Sequence, residues 1–255
     1  MVTDTEGIVL RQTKALGGRR MLTVFSKKYG KISIGTGITE GGRNKTALAV
    51  KPFTYGKYEL FKSRDNYNLN NGQVVKSFYG IGEDLDKYME ASYVLELTDK
   101  MLPEEMAQPR LFNLLVEYLE ALQKREKKHG TLTLAYMVKA MDILGTMPEL
   151  DACTCCGQKA TADSGQKILF SIEEGGFICH QCAADVAKTT ERPLIYKLDF
   201  GIIDILKYFQ KQPMSAFEKI ALNDDKQQEL QNLMKDYMSY HLDIKGLKSE
   251  SFFQI

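Results

Sequence analysis

The sequence predicts a multi-domain α+β protein in which a small β-barrel is followed by an all-α domain with an inserted four-cysteine module. Three observations predict this class: short runs of β-branched and aromatic residues up to residue 80, a helical hydrophobic period from about residue 83, and two Cys-x-x-Cys pairs that interrupt the helical part. The predicted segments are the barrel at 1–80, the two parts of the helical domain at 81–150 and 191–255, and the cysteine module at 151–190.

Five short strands are predicted in the first segment. They lie at Gly7–Arg11, Met21–Phe25, Lys31–Gly35, Phe53–Phe61 and around Val74–Val75. The fourth run alternates most clearly, with Thr54, Gly56, Tyr58 and Leu60 on one face. Five short strands with glycines where a sheet must bend indicate a small closed barrel, and a five-stranded OB-fold is the leading candidate.

Helical periodicity dominates the rest of the chain. Predicted helices cover Leu85–Leu97, Pro109–Leu122, Leu132–Leu144, Phe200–Phe209 and Leu230–His241, and Ser215-x-x-Glu218 is read as the capping box of a further short helix. The helices before and after the cysteines are each too few to close a core. We therefore expect the two groups to pack together as one domain around the cysteine module.

Four cysteines carry the most specific chemistry in the sequence. Cys153, Cys156, Cys179 and Cys182 form two Cys-x-x-Cys pairs with 22 residues between them, close to the spacing of a four-cysteine zinc site. Each pair can wrap a turn, and four sulfurs at ~2.3 Å from one ion complete a tetrahedron. Gly157 can take the positive φ that such a turn needs, and Gly175-Gly176 suits a hairpin before the second pair. A closed four-sulfur shell leaves no place for water, so the predicted zinc is structural.

Other roles for these cysteines remain open at this stage. A disulfide framework, two separate redox dithiols and a knuckle without metal all use the same residues. All five cysteines fall within 153–182, and no thioredoxin-like βαβ pattern surrounds them, which favours the metal site. Cys155 is expected to be a spare thiol. His180 is expected to face solvent, although it could replace a sulfur.

The charge is divided unevenly along the chain. The net charge is only +1, but residues 1–80 hold 14 Lys and Arg against 5 Asp and Glu, so that the first segment carries +9 and the remainder −8. A basic N-terminal segment followed by an acidic remainder indicates that the N-terminal segment binds a polyanion. The alternative is a basic domain that is neutralised by its own acidic partner domain.

The basic residues of the barrel gather in its predicted connections. Loop-borne cations on a small barrel can follow a phosphate backbone, and tyrosines beside them offer stacking surfaces for bases. The candidate phosphate-binding residues are Lys14, Arg19, Arg20, Lys27, Lys28, Lys31, Arg43, Lys45 and Lys51, and the candidate stacking residues are Tyr29, Tyr55, Tyr58 and Tyr67.

Several function classes are disfavoured. The sequence shows no Gly-x-Ser-x-Gly elbow, no Walker lysine loop and no His-Glu-x-x-His motif, and its three histidines lie far apart, so we expect no enzymatic activity. No run of ~18 apolar residues and no signal-peptide pattern occurs. Free thiols at a metal site suit a reducing cytoplasm.

In this order, the segments resemble the RecO family of bacterial DNA repair and recombination mediators over nearly the whole length. The resemblance is carried by Gly7-Ile-Val-Leu10, Thr23–Lys31, Leu48–Thr54, Ala91–Leu97, Pro109–Leu115, Leu144–Gly157, Gly176–Cys182 and Gly246-Leu-Lys-Ser249. It implies an N-terminal OB-fold and a helical domain with a zinc-binding module.

The resemblance also implies a function. Such a protein binds single- and double-stranded DNA, anneals complementary strands and, with RecR, helps to load RecA on strands coated by single-strand-binding protein (SSB). The C-terminal tail of SSB is a further expected partner, and a cytoplasmic protein associated with the nucleoid during repair is expected. Two other functions remain open: a helical scaffold that grips RecR or SSB with secondary DNA contact, and an RNA-binding OB protein with a zinc ribbon.

Overall fold

The computed structural model describes residues 1–38, 45–63, 66–159, 167–189, 191 and 193–253. The chain forms two compact units. The first comprises Met1–His129 together with Gly246–Ile255, and the second comprises Gly130–Lys245. None of the helices in these described ranges is long and apolar enough to span a bilayer.

Five strands of the first unit close into a barrel. They are β1 (Val2–Lys14), β2 (Arg20–Ser26), β3 (Gly30–Thr36), β4 (Thr54–Ser63) and β5 (Asn66–Ser77). Their order around the barrel is β1-β2-β3-β5-β4. All neighbours are antiparallel except β3 and β5, which run parallel over only two residue pairs, Ile34 with Tyr67 and Gly35 with Asn68. The predicted OB-type barrel and the predicted fold class are confirmed.

The alternation of β4 fills the barrel as the sequence predicts. Thr54, Gly56, Tyr58 and Leu60 are all buried, and Tyr58 and Leu60 belong to the barrel core. The helix α1 (Lys45–Ala49) packs against β4 and β5, and the Tyr58 hydroxyl donates to the carbonyl oxygen of Ala49 at 2.7 Å. Burial raises the pKa of Tyr58, so this phenol stays neutral at the core.

Helices α2 (Leu85–Met101) and α3 (Pro109–Lys124) belong to the same unit as the barrel. Two 3-10 helices, Tyr79–Glu83 and Lys248–Phe253, contact α2. The ring of Phe112 on α3 meets Phe25 and Tyr55 edge-on, with centroids 5.4 Å and 5.6 Å apart. These helices therefore cover the outside of the barrel. The four segments predicted from the sequence stay a prediction.

The second unit combines helices with a small sheet. Its elements are α4 (Gly130–Leu144), β6 (Ile168–Ser171), β7 (Gly176–Ile178), α5 (His180–Thr189), β8 (Ile195–Leu198), α6 (Phe200–Lys211), a 3-10 helix (Met214–Phe217) and α7 (Asp224–His241). The buried helix α4 contacts α6, the 3-10 helix and α7, while the antiparallel sheet has the order β7-β6-β8. The predicted capping box at Ser215 is wrong, because the short helix begins at Met214 and Pro213 at its cap offers no hydrogen-bonding side chain.

Lys31 on β3 ties the barrel to α2. Its Nζ donates to the carbonyl oxygen of Asp99 at 2.8 Å and lies 3.6 Å and 3.2 Å from the carboxylates of Asp99 and Glu104. The side chains of Lys31 and Asp99 are only 13% and 17% exposed. Arg11 approaches the other oxygen of Asp99 at 3.7 Å. The ammonium group is thus directed into the protein, where its charge compensates a half-buried carboxylate.

We predict that Lys31→Met lowers the free energy of unfolding by about 1–3 kcal/mol, because Asp99 loses its main donor in a half-buried position. Urea unfolding followed by circular dichroism measures the change. The control is Lys14→Met at an exposed site, which should shift stability by less than about 0.5 kcal/mol. Equal midpoints and slopes for wild type and Lys31→Met would contradict a structural role for this lysine.

Candidate metal centre and nucleic-acid interface

The four cysteines of the two Cys-x-x-Cys pairs meet in the second unit. Cys153 and Cys156 lie in the segment after α4, Cys179 follows β7, and Cys182 lies in the first turn of α5. Their Sγ atoms all lie within 4.8 Å of one another, and those of Cys156 and Cys179 are 3.8 Å apart. The predicted gathering of these residues is confirmed, and together they could hold a metal ion.

Two glycines allow the cysteine segments to approach. Gly157 has φ of +74°, as predicted, and its N–H donates to the carbonyl oxygen of Cys153 at 2.8 Å to close the first turn. At Gly176, a Cβ atom would lie 2.3 Å from the carbonyl oxygen of Glu149. That close approach lets the N–H of Phe177 donate to Glu149 at 2.9 Å, which joins the first cysteine segment to the β6–β7 hairpin.

The four sulfurs are close enough together to surround one ion, and one of their separations matches the edge of a tetrahedral site. Metal–sulfur bonds of ~2.3 Å give a tetrahedron with edges of about 3.8 Å, which is the Cys156–Cys179 separation. Backbone N–H groups also favour thiolates here. The N–H of Cys179 donates to the Sγ of Cys153 at 3.3 Å, and that of Cys182 donates to the Sγ of Cys179 at 3.5 Å.

The surroundings of the four sulfurs shift their pKa values in opposite directions. Burial alone would raise the pKa of Cys153, but the N–H groups of Cys179, Cys156 and Cys155 lower it to about 6. The pKa of Cys182 is raised well above its ordinary value by the neighbouring sulfur of Cys179 and by burial. The environment thus favours the thiolate form of Cys153 and disfavours that of Cys182, and a bound cation would favour the thiolate form of all four.

The fifth cysteine and the nearby histidine stand apart from this group. Cys155 is exposed, and its Sγ lies 3.8 Å from a carboxylate oxygen of Glu174. His180 is exposed as the first residue of α5. All five cysteines are free thiols. The sequence-based expectation for Cys155 and His180, a spare thiol and a solvent-facing residue, agrees with these positions.

The predicted DNA-binding cations fall into groups at opposite ends of β2. Lys14 pairs with Arg20 in the β1–β2 register, and Arg19 directly precedes Arg20; we call these three residues the β1–β2 end. Lys27 and Lys28 follow the last residue of β2; we call them the β2–β3 end. Seven residues of strand separate the two ends by about 20 Å. Arg20 is half-buried and the other four are exposed.

The β2–β3 end combines cations with aromatic rings. The Nζ of Lys28 lies 5.1 Å from the ring centroid of Tyr29, and the Nζ of Lys62 lies 4.9 Å from that of Tyr67. The two rings are 5.8 Å apart. Hydrogen bonds from Thr3 and Lys28 lower the pKa of Tyr29. Lys62 was missed by the sequence reasoning, and its place just before the turn from β4 to β5 was the signal that could have found it.

The remaining candidates are placed differently. Lys31 is held by Asp99 and Glu104, and Lys51 is half-buried beside Pro52. Arg43 lies outside the described residues, and of Lys45 only the backbone, at the start of α1, is described. The DNA-binding role of all nine residues stays a prediction.

Burial narrows the set of tyrosines that could stack on bases. Tyr58 and Tyr67 are 1% and 3% exposed and belong to the barrel core. Tyr55 donates to Glu6 at 2.7 Å, and its ring packs on Phe112. Of the four candidates, Tyr29 is the half-buried one that also lies beside an exposed lysine.

Comparison with known proteins gives matches along nearly the whole chain. The family model described as Recombination protein O N terminal matches residues 1–78, and the one described as Recombination protein O C terminal matches residues 82–251. A protein named DNA repair protein RecO from Alkaliphilus metalliredigens is 34% identical over 95% of both chains. Relatives of the same name from Bacillus pumilus and Bacillus subtilis are 30% and 28% identical, each over 99% of this chain and 93% and 94% of their own.

We predict that Cys153→Ser removes a bound metal ion, because the remaining three thiolates no longer close the tetrahedron. Metal content, measured by mass spectrometry after exhaustive dialysis, should fall from about one ion per chain towards zero. The matched control is Cys155→Ser, which lies two residues away, is exposed and should retain the metal. Equal metal content in the two variants would rule out the four-sulfur site.

Proposed function

The chain belongs to the RecO family of DNA repair proteins, and from this membership we propose that it is a non-enzymatic recombination mediator. It binds single- and double-stranded DNA through the barrel and anneals complementary strands. With RecR it helps to load RecA on single-stranded DNA coated by SSB, and the C-terminal tail of SSB is a further partner. It works in the cytoplasm, associated with the nucleoid during repair.

The separation of exposed cations to opposite ends of one barrel strand supports this proposal most. Complementary strands repel each other through their phosphates, and lysine and arginine side chains reduce this repulsion by replacing condensed counterions. Two basic ends about 20 Å apart can each hold a separate stretch of backbone. A strand held at one end is then presented to a strand held at the other.

Annealing of this kind needs no covalent chemistry. The protein binds two strands, lowers the electrostatic cost of their approach and releases the duplex that forms. Binding to phosphates rather than to base edges also suits a protein that must act on any sequence. The exposed side chains of the β1–β2 end and the β2–β3 end supply this charge.

We infer further that the metal held by the four cysteines is zinc. Four thiolates in a closed tetrahedron are the ligand set of structural zinc sites, in which zinc contributes folding energy and no open coordination position. Cys153 and Cys156 would bind it from the turn after α4, and Cys179 and Cys182 from the start of α5. The identity of the metal in purified protein tests this inference directly.

We predict that an Arg19/Arg20/Lys28→Glu variant loses strand annealing, because both basic ends then repel phosphates. Annealing of complementary fluorescent oligonucleotides at two salt concentrations is the measurement. For wild type, the logarithm of the binding constant should fall by about 0.7 to 0.9 per logarithmic unit of salt for each phosphate contact. The variant should show a clearly flatter dependence.

The control variant carries the same charge change elsewhere. Lys188, Lys197 and Lys245 are exposed residues of the second unit, and their replacement by Glu should leave annealing unchanged. A flat salt response of wild type would contradict phosphate contact as the mechanism. Absence of annealing by wild type at low salt, with RecR binding retained, would favour a protein-interaction scaffold instead.

A further inference from the structure

A groove of about 850 Å³ lies in the first unit. Residues of β1, of the segment before β4, of α2 and of the C-terminal 3-10 helix line it. The groove lies where β1 continues beyond its pairing with β4. That pairing ends at Ile8 and Tyr55, so the residues of β1 after Ile8 have no partner strand on that side. Such a volume is within the range of sites that hold small molecules or parts of larger ligands.

Exposed aromatic rings stand at this groove. Tyr79 is 67% exposed and Tyr88 is 41% exposed. The ring of Tyr88 meets that of Phe53 edge-on at 5.7 Å. Phe53 itself has φ of +61°, a conformation that costs energy for a residue with a Cβ and that is found preferentially at functional sites. Exposed rings that line a groove offer stacking surfaces to a planar ligand.

The charge in the groove is positive on balance. Lys51, Lys100 and Lys248 line it, and the last two are exposed. Its acidic residues are satisfied from within the protein. Glu96 accepts from the N–H groups of Lys248 and Ser249 at 3.0 Å and 2.8 Å and from the Ser249 hydroxyl at 2.7 Å. Asp99 is paired with Lys31 and Arg11, as described above. The lysines are thus the charges that an anionic ligand meets.

An uncompensated polar group lies on the same part of β1. Gln12 on β1 lines the groove, and its Nε2 is buried without an acceptor in the part of the chain that the structure describes. A buried donor without a partner is uncommon. Because this amide nitrogen has almost no accessible surface, it reaches an acceptor on a base edge only after the Gln12 side chain turns towards the groove.

We propose that this groove binds a segment of single-stranded DNA, with Tyr79 and Tyr88 as stacking surfaces and Lys51, Lys100 and Lys248 as phosphate contacts. The proposal rests on the proposed DNA-binding function and adds a site to it. Exposed rings and lysines in one groove offer stacking surfaces to bases and positive charge to phosphates. Gln12 of the groove and Lys14 of the β1–β2 end are two residues apart on β1, so that one strand can reach both.

The absence of tryptophan from the sequence makes a direct test possible. Tyr79→Trp introduces a single fluorescent reporter at an exposed position of the groove. The matched control is Tyr240→Trp, an exposed tyrosine of α7 in the second unit. The probe is a short oligothymidylate whose binding is followed in parallel by the anisotropy of an attached dye. Circular dichroism confirms that both variants fold as wild type.

Stacking of a base on residue 79 should quench the reporter in Tyr79→Trp and leave that in Tyr240→Trp unchanged, with quenching and anisotropy saturating together. Tyr79→Ala should lower the affinity for the oligonucleotide by about fivefold or more. Lys100→Gln should reduce the slope of the salt dependence by about 0.7, the value for one single-strand phosphate contact.

The two proposals fail in different ways. If the oligonucleotide binds by anisotropy while the reporter at position 79 stays unchanged, the groove site is overturned and the DNA-binding function stands. If neither signal changes at low salt, the DNA-binding function falls and the groove site falls with it. If an acidic peptide with an apolar C-terminus quenches the reporter and the oligonucleotide does not, the groove is a protein-docking site and the inference is overturned.

Discussion

The closure of the barrel through β1 is the constraint on which the first unit depends. β1 serves two neighbours with different stretches of its length: Val2–Ile8 pairs with β4, and Gly7–Lys14 pairs with β2, with a register shift between Val9 and Arg11. Because a closed sheet leaves no free edges, each strand must be satisfied on both sides. Because β1 is shared between two neighbours, its residues after Ile8 pair with β2 only and have no β4 partner. This part of β1, together with α2, forms the groove, while the far end of β1 carries Lys14 to the β1–β2 end.

The parts of the fold with strong local patterns could be predicted from the sequence. The alternation of Thr54, Gly56, Tyr58 and Leu60 was sufficient, because inward and outward positions of one strand differ in polarity over a period of two. The start of β5 was missed, because Asn66–Gln73 is rich in asparagine and only Tyr67, Leu69 and Gly72 turn towards the barrel. The partners of α2 and α3 were missed for another reason. A hydrophobic stripe shows that one face of a helix is buried, but it does not identify the element that buries it.

The candidate sites show the same distinction between local and distant information. The four metal ligands could be predicted, since each Cys-x-x-Cys pair is a local turn and the four thiols have few other uses together. The role of Lys31 could not be predicted from the sequence, because its partner Asp99 is 68 residues away. A lysine that contacts phosphate and one that stabilises a carboxylate are alike in sequence. Tyr79 escaped prediction because only the folded chain leaves it exposed in a groove that lysines also line.

The cysteine group and the basic ends use charge in opposite ways. The strands β6, β7 and β8 have four, three and four residues, too few for a sheet of this kind to contribute much stability by itself. Converging thiolates add repulsion, which a divalent cation bound by the four sulfurs would reverse. At the barrel, by contrast, none of the ion pairs among the described residues involves Lys14, Arg19 or Lys28. The repulsion among these exposed cations is therefore not compensated within the protein, and a bound polyanion reduces it. A site that binds its counter-charge permanently supports a fold, whereas a site that leaves its charge exposed is available for a ligand that must come and go.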